Sequence, residues 1–398
     1  MKPKVFFTKK ITPEKVTELY DALGIQLPGK VAVKVHSGEQ GNQNFLRPDF
    51  WAPMVEKVNG TVVECNTAYG DAFDGVRDHT DSHLKLLKLH GWADAFDVDL
   101  MDAEGPDLIV PVPGGKVLKT NALGKNIRNY DSMLVLAHFK GHPMGGFGGA
   151  LKQLSIGCAS SRGKALIHSG GVTDSNIDTW QKHAAQDAFC EAMADAASTV
   201  VKLFEGRIAF INVMKNLSVD CDCCSVAEDP CMRDIGILAS LDPVAIDQAC
   251  LDLVYAAKDD PGQRHFLDRV ESRHGVRTVE AAALAGVDSV EHGAYLDTDA
   301  LQTMAQMGTV WVPTLSTVAN LRGKGRFCEE AVVRIWESAA ENVSRFAAMG
   351  GLLGCGSDAG AWAVPHGCGT EEMLFQEILG QHSEEILEKG FQKIREKF

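Results

Sequence analysis

The sequence predicts an α/β protein with a mostly parallel sheet core and flanking helices. Short apolar runs alternate with helical patterns over most of the 398 residues, and 45% hydrophobic with 23% charged residues is enough for large buried cores. The predicted strands are Val31 to Val35, Thr61 to Glu64, Met133 to His138, Ile208 to Val213, Ile235 to Ala239, Ser289 to Glu291, Val310 to Thr314 and Leu352 to Cys355.

The predicted helices lie between these strands. The longest covers Asp178 to Phe204, where Ala, Met, Val and Leu recur at helical spacing. Another begins at Asp242-Pro243, because Asp is a natural N-cap and Pro fits the first helical turn. Asp242 and Asp247 resemble a pair of catalytic carboxylates, but we expect capping and surface solvation to account for them.

The character of the chain changes near Thr278, although no low-complexity linker divides it. Before this point the loops are dense in Gly, His and Cys. After it comes a regular alternation of strands and helices. We therefore predict a metal-binding α/β core at residues 1–277 and a second βα segment at 278–398.

Charge and composition exclude several classes of partner. The formal net charge is −14, the sequence pI is near 5.4, and no basic block interrupts the chain. Nucleic acids and anionic membranes are therefore not expected as partners. The N-terminus lacks a signal-peptide core, and no apolar run has the length of a transmembrane helix. We expect a cytoplasmic protein.

A cysteine-rich loop is the sharpest chemical feature. Four of the eleven cysteines fall within eleven residues, at Cys221, Cys223, Cys224 and Cys231. Clustered thiols in a cytosolic chain are better interpreted as ligands than as disulfides. Thiolates select zinc, copper(I) or iron–sulfur clusters, and the alternative is an unliganded cysteine loop. The spacing differs from that of bacterial ferredoxins, which leaves the metal open.

A glycine-rich segment follows the strand at Met133 to His138. Its backbone N–H groups precede a helix and could bind an anion or a cofactor, although the segment matches neither a Walker loop nor a dinucleotide fingerprint. The glycines in question are Gly145, Gly146, Gly148 and Gly149. His138, Lys140 and His142 lie where a parallel strand ends, and α/β proteins bind ligands there. The alternative is a tight turn with solvated histidines.

Two further groups of polar residues supply acid–base or cationic candidates. His36 and Glu39 follow another predicted strand, while Arg162 and His168 follow Cys158. If the sheet is parallel, these groups can converge at one edge of the sheet. A lone histidine is more often structural than catalytic.

Residues 1 to about 285 resemble the prokaryotic family catalogued as domain of unknown function 362. Members often accompany or contain ferredoxin-type modules, so the resemblance implies iron–sulfur and redox biology. No ferredoxin motif is appended here, and any cluster would use the chain's own cysteines. The matching stretches are Val31 to Glu39, Glu64 to Gly70, His138 to Gly149, Cys221 to Cys223 and Ile235 to Gln248.

The last part of the chain contains three short motifs, Gly-Val-Asp-Ser-Val-Glu-His-Gly at 286–293, Val-Pro-Thr-Leu at 312–315 and Gly-Ser-Asp-Ala-Gly at 356–360. On these motifs, residues from about 286 onward resemble the last part of an imidazolonepropionase-like amidohydrolase barrel. The resemblance implies metal-site roles for His292, in Gly-Val-Asp-Ser-Val-Glu-His-Gly, and for Asp358, in Gly-Ser-Asp-Ala-Gly. The family's His-x-His pair does not occur in this sequence. A complete barrel needs about 250 residues, so we expect a small βα fragment resembling the last strands of a (β/α)8 barrel.

Together these features predict a metal-binding protein, with a 4Fe–4S iron–sulfur cluster as the first choice and zinc as the alternative cofactor. The predicted ligands are Cys221, Cys223, Cys224 and Cys231, with Cys158 as a possible substitute. The candidates for contact with a small-molecule substrate are His36, Glu39, Lys140, His142 and His168. The function could be a redox or metal-dependent enzyme with a substrate or an electron-transfer partner. The alternatives are a zinc-dependent amidohydrolase acting on C–N bonds and a non-catalytic, metal-stabilised binding protein.

Overall fold

The computed structural model describes residues 3–70, 75–103, 105, 107–286, 289–357, 364 and 369–397. The chain forms two compact units, Met1–Ala283 and Leu284–Phe398. Each unit has its own sheet and its own hydrophobic core.

A seven-stranded sheet forms the centre of the first unit, in the order β1-β11-β10-β7-β2-β3-β4. The strands from β10 to β4 pair in parallel, and β11 is antiparallel to both of its neighbours. Two short hairpins, β5-β6 and β8-β9, complete the unit's strands: β1 Val5–Thr8, β2 Val31–Lys34, β3 Thr61–Glu64, β4 Val98–Leu100, β5 Leu108–Pro111, β6 Thr120–Leu123, β7 Ser132–His138, β8 Lys140–His142, β9 Gly146–Gly148, β10 Ile208–Met214 and β11 Gly236–Ser240. The predicted, mostly parallel sheet is confirmed.

Helices cover both faces of this sheet. Successive residues of β7 point to opposite faces, so Met133 belongs to the core beneath α5, α7 and α8, and Leu134 to the core beneath α1 and α2. The helices are α1 Pro13–Ala22, α2 Pro48–Lys57, α3 Thr80–Leu89, α4 Trp92–Ala95, α5 Ala150–Cys158, α6 Ser161–His168, α7 Gln186–Leu203, α8 Pro243–Ala256, α9 Gln263–Ser272 and α10 Val276–Gly286, with a 3-10 turn at Lys125–Asn129. Among the helices described, none combines the length and apolar character needed to cross a bilayer.

The start of α8 follows the sequence expectation. Asp242 is the N-cap, and its carboxylate accepts hydrogen bonds from the N–H groups of Val244 and Ala245 at 2.8 and 2.9 Å. The longest predicted helix is shorter than expected, because α7 begins at Gln186 rather than at Asp178.

Asp247 contradicts the expectation of surface solvation. Its side chain is fully buried on α8, and its carboxylate accepts hydrogen bonds from the N–H groups of Ala150 and Leu151 at 2.8 and 2.9 Å and from Asn212 at 2.7 Å. Burial raises the pKa of Asp247 to about 6. The first turn of α5 therefore receives its capping acceptor from another helix.

This contact also corrects the anion-site expectation for the glycine-rich segment. The N–H groups of Ala150 and Leu151 are already bonded to Asp247, so they are not available to an external phosphate. Gly149 makes the contact possible, since a Cβ at this position would lie 2.4 Å from Asp247 Oδ1. The glycine therefore permits close packing between α5 and α8.

The β8-β9 hairpin brings the glycine-rich segment against the cysteine loop. The N–H of Gly141 donates to the carbonyl of Ser218 at 2.8 Å. A Cβ at Gly141 would lie 2.3 Å from the carbonyl oxygen of Val219, so only glycine fits between the two backbones. The position of the cysteine loop relative to β8 is set by this approach.

The second unit contains a three-stranded parallel sheet in the order β12-β13-β14. Trp311, Phe346 and Phe375 are fully buried at the centre of its core. This layer agrees with the expected βα fragment. Its elements are β12 Ser289–Glu291, α11 Thr298–Met307, β13 Val310–Val312, α12 Leu315–Ala319, α13 Glu329–Ala348, β14 Leu352–Leu353, α14 Thr370–Leu379, a 3-10 turn Gly380–His382 and α15 Ser383–Lys397.

Replacing Asp247 by Ala should lower the free energy of unfolding by about 2–4 kcal/mol, because buried N–H donors of α5 lose their acceptor. Urea denaturation of the full chain measures this change. Asp252→Ala, at an exposed position of the same helix, is the matched control and should change the free energy by less than about 0.5 kcal/mol. Equal losses of unfolding free energy in the two variants would contradict a stabilising role for the capping contact.

Candidate metal centre

Four neighbouring parallel strands carry polar residues to the same edge of the first sheet. In the sheet order β10-β7-β2-β3, the carboxyl ends lead to the cysteine loop, His138, His36 and Glu64 respectively. Convergence at such an edge is the general behaviour of parallel α/β sheets. The groups that the sequence placed on separate loops therefore meet here.

The centre of this region is a group of one imidazole and two thiols. The ligand atoms of His142, Cys221 and Cys223 all lie within 4.8 Å of one another. His142 Nε2 is 3.8 Å from Cys223 Sγ, and the N–H of Cys223 donates to Cys221 Sγ at 3.4 Å. Within the described part of the chain, this is the group with the spacing of a metal site.

The orientation of the His142 ring is fixed by the hairpin turn. Its Nδ1 accepts hydrogen bonds from the N–H groups of Met144 and Gly145 at 3.1 and 2.8 Å. In the neutral ring the proton is then on Nε2, which faces the thiols. His142 can donate this proton to a ligating thiolate. To bind a metal through Nε2 as a neutral ring, it would have to carry its proton on Nδ1, and the N–H groups of Met144 and Gly145 would then need other acceptors.

Burial keeps these groups uncharged in the absence of a metal. Burial lowers the pKa of His142 to about 4 and raises the pKa of Cys221 to about 11. A hydrogen bond with Cys221 lowers the pKa of Cys223, but a hydrogen bond with Cys224 and burial outweigh it and raise the pKa to about 11. A metal would therefore displace thiol protons on binding.

Asp222, between the two thiols, anchors the loop to the sheet. Its buried carboxylate accepts from His138 Nδ1 at 3.0 Å and forms an ion pair with Lys140 Nζ at 2.8 Å. Burial alone would raise the pKa of Asp222, but His138 and Lys140 outweigh it and hold the pKa well below its usual range. The Asp222 carbonyl also accepts from the N–H of Glu39 at 2.8 Å.

Further contacts hold the backbone of the cysteine loop. Asn42 Nδ2 donates to the carbonyls of Cys224 at 2.8 Å and Cys221 at 3.3 Å. The Tyr69 hydroxyl donates to the carbonyl of Cys223 at 2.9 Å. The loop is thus fixed from both sides, and its thiols have defined positions before any metal binds.

A cavity of about 460 Å³ adjoins this centre. Its lining includes Cys223 and four of the five residues predicted to contact substrate, which are His36, Lys140, His142 and His168. Glu39 is fully buried elsewhere, with its carboxylate 3.0 Å from Arg77 Nε. It holds Arg77, which does line the cavity.

Other predicted site residues lie apart from the thiol–imidazole group. Cys224 lines the cavity, but Cys231 Sγ lies 3.4 Å from the carbonyl of Leu217. Cys158 is fully buried at the end of α5, with its Sγ 3.5 Å from the carbonyl of Gln153. The ligand roles of Cys231 and Cys158 stay predictions. For either residue to bind the same metal as Cys221 and Cys223, the chain would have to rearrange.

The remaining cofactor candidates lie in three different places. Gly145 and Gly146 are buried away from the cavity lining. Gly148 and Gly149 contribute to the cavity lining. Arg162 is exposed and paired with Asp174 and Asp107, so the geometry offers it no cofactor contact.

The hydrolase-like pair of the second unit does not form a described metal site. His292 Nδ1 is 2.6 Å from the hydroxyl of Thr314. Asp358 lies outside the described residues. The predicted roles of His292 and Asp358 therefore stay predictions.

Several cavity residues were missed in the sequence. Lys34, at the end of β2, is fully buried, and its Nζ is 3.3 Å from Glu64 and 3.0 Å from Gln153. A lysine inside an otherwise apolar strand is the signal that could have revealed it. Lys152 lies on a helix, where a lysine is usually solvated, and the sequence offers no such signal for it. Lys164, which the sequence groups with Cys158, Arg162 and His168 as a candidate cation, also lines the cavity.

The fold and the site define an α/β protein with a possible His/Cys metal site. The family described as Domain of unknown function (DUF362) matches residues 31–252, and the chain belongs to this family. No curated protein sequence matches the chain significantly.

Solved structures resemble the backbone only distantly. A Thermotoga maritima protein is 11% identical, covering 86% of this chain and 83% of its own, with a TM-score of 0.36. The lactate racemase apoprotein from Thermoanaerobacterium thermosaccharolyticum is 10% identical, covering 94% and 90%, with a TM-score of 0.34. Ochratoxinase from A. niger is 20% identical over 31% of each chain, with a TM-score of 0.23, so the match spans about a third of that protein's length. These values are too low to assign a shared activity.

Replacing Asp222 by Asn should destabilise the chain by about 3–5 kcal/mol, because Lys140 would remain buried without its counter-charge. Limited proteolysis should then cleave the cysteine loop, and denaturation should give the change in free energy. Asp220→Asn is the matched control two residues away, where the partner Arg269 is partly exposed, and a loss below about 1 kcal/mol is expected. A protease-resistant Asp222→Asn loop would contradict the anchoring role.

Proposed function

We propose that this chain is a metal-dependent enzyme that holds one soft metal ion on Cys221 and Cys223, with His142 as a further ligand or as a hydrogen-bond donor to the thiolates. The observation that carries the proposal is the position of these three residues beside a cavity of small-molecule size. Thiolate and imidazole favour zinc and other soft ions over magnesium or calcium. A bound ion would polarise an oxygen of the substrate or of water.

The spacing of the ligand atoms favours a single ion. Zinc–sulfur bonds of about 2.3 Å in a tetrahedron place ligand atoms about 3.8 Å apart, and the three atoms here lie within 4.8 Å of one another. Cys224 borders the same cavity and is available as another thiolate. An iron–sulfur cluster is the second candidate, supported by the four thiols on one loop, but it needs Cys231 to leave the carbonyl of Leu217.

Two cavity histidines present different ring nitrogens to the cavity, His168 a proton acceptor and His36 a hydrogen-bond donor. His168 donates Nδ1–H to the carbonyl of Lys164 at 2.7 Å, which leaves Nε2 as a proton acceptor. His36 accepts at Nδ1 from the N–H of Gly38 at 3.1 Å, so Nε2 carries the proton. Burial lowers the pKa of His168 to about 4, and burial followed by Arg77 and Lys140 lowers the pKa of His36 well below 6.5. Both rings are therefore neutral at pH 7, so His168 offers Nε2 as a proton acceptor and His36 offers its Nε2–H as a hydrogen-bond donor.

Metal analysis tests the proposed centre. Full-length protein purified anaerobically should contain about one soft metal ion per chain and no acid-labile sulfide. The double variant Cys221→Ser and Cys223→Ser should lose this metal, because oxygen ligands replace the two thiolates. The matched control is Cys328→Ser with Cys355→Ser, since both thiols are exposed in the second unit, and it should keep its metal.

The outcomes separate the two candidates. Iron and sulfide in comparable amounts, with visible absorbance, would favour the cluster and contradict a single ion. Full metal content in the Cys221 and Cys223 double variant would contradict the ligand assignment.

Long-range ¹H–¹⁵N NMR of the histidine rings tests which nitrogen carries the proton in His168 and in His36. The His168 ring should carry its proton on Nδ1, the His36 ring on Nε2, and His168 should stay neutral to about pH 4. Its folded pKa lies below the unfolded value of 6.5, so its contribution to stability is present above pH 6.5 and is lost as the pH falls toward 4. His36→Asn and His168→Asn assign the signals. A His168 signal that titrates near 6.5 would rule out the buried base.

A further inference from the structure

Lys152 is a cavity cation for which the described residues supply no partner. Five cationic side chains line the cavity. Lys34 is paired with Glu64, Arg77 with Glu39 and Lys140 with Asp222. Lys164 Nζ donates to the carbonyl of Ala159 at 2.6 Å. The ammonium group of Lys152 has no ion pair or hydrogen bond to any residue that the structure describes.

The position of Lys152 directs its charge toward the proposed reaction site. It lies in the first turn of α5, and its side chain runs beside that of Lys140 over Gly148. A Cβ at Gly148 would be 3.4 Å from Lys152 Cδ and 3.6 Å from Lys140 Cε. His36 and His168 line the same cavity as Lys152. An anion on Lys152 would therefore lie among the cavity histidines.

Four backbone N–H groups near Lys152 are already bonded and cannot contribute to a phosphate cradle. The N–H groups of Ala150 and Leu151 are bonded to Asp247, and those of Met144 and Gly145 are bonded to His142. Phosphate sites on glycine-rich loops rely on such N–H groups being free. The Lys152 ammonium group carries a single positive charge, and this charge complements a ligand with one negative charge.

Much of the remaining cavity wall is apolar or aromatic. It includes Ala68, Met144, Ile156, Trp180 and Val226. Such walls bind the body of a ligand, while a few polar groups fix its orientation.

We infer that the cavity binds a small monocarboxylate with an apolar body and that Lys152 binds its carboxylate. This inference rests on the proposed function, which makes the cavity the substrate site. The carboxylate end would face Lys152, and the substrate body would lie against the apolar wall within reach of the histidines.

Isothermal titration of the full chain with phenylacetate tests the inference. Phenylacetamide is the neutral probe of the same shape, and benzylphosphonate is the dianionic probe. Phenylacetate should bind at least about tenfold more tightly than phenylacetamide, because a hydrogen bond to a charged group contributes about one to two factors of ten in affinity. Lys152→Gln should weaken phenylacetate binding by about tenfold to hundredfold, whereas Lys152→Arg should retain most of it.

Lys85→Gln is the matched control, since Lys85 is exposed on α3, and it should bind phenylacetate like the wild type. Equal binding of the acid and the amide, unchanged binding by Lys152→Gln, or no binding by the wild type would overturn the inference. Tighter, Lys152-dependent binding of benzylphosphonate would replace the carboxylate with a phosphate-like ligand.

The same titration on the Cys221 and Cys223 double variant separates this inference from the proposed metal centre. If the wild-type protein proves to contain no metal and still binds phenylacetate, the carboxylate site is supported and the metal proposal fails. Wild type that contains metal but does not distinguish the acid from the amide would overturn only the carboxylate site.

Discussion

The buried carboxylate of Asp222 is the interaction on which the site depends. It joins the cysteine loop to the end of β7 through His138 and to β8 through Lys140. Because the residue lies between Cys221 and Cys223, fixing it also fixes the thiols on either side. A free loop would lose conformational entropy on binding a metal, whereas this loop is ordered beforehand by contacts to groups that are not ligands. The fold therefore contributes preorganisation to a site whose thiols come from one short segment.

Charge compensation explains much of the interior around the cavity. Isolated buried ions are very unfavourable, and paired ones are tolerated. Lys34, Arg77 and Lys140 each have an acidic partner, and Asp247 meets the N-terminus of α5. These pairs build a rigid wall whose charges are already satisfied. Charged side chains outside these pairs are the ones free to bind a ligand. The pattern of ion pairs therefore determines which part of the cavity wall can select a ligand by its charge.

The strands and the edge where their loops meet could be predicted because both depend on local patterns and on a general rule of parallel sheets. The partners within the site could not. Asp247 and Ala150 are 97 positions apart, and His138 and Asp222 are 84 apart. Asp247 looked solvated because nothing nearby in sequence needs a carboxylate. Counting thiols likewise could not show that Cys231 would face Leu217 while Cys221 and Cys223 face His142.

Gly141 sets a limit on how this site can vary. Its missing side chain lets the β8-β9 hairpin lie directly on the backbone at Val219, two residues before Cys221. Even the methyl group of alanine would push these backbones apart and shift the thiols relative to His142. The position carries no reactive group, so a search for catalytic side chains would overlook it. A redesign of the metal centre would have more freedom in its ligand types than in this one contact between two stretches of main chain.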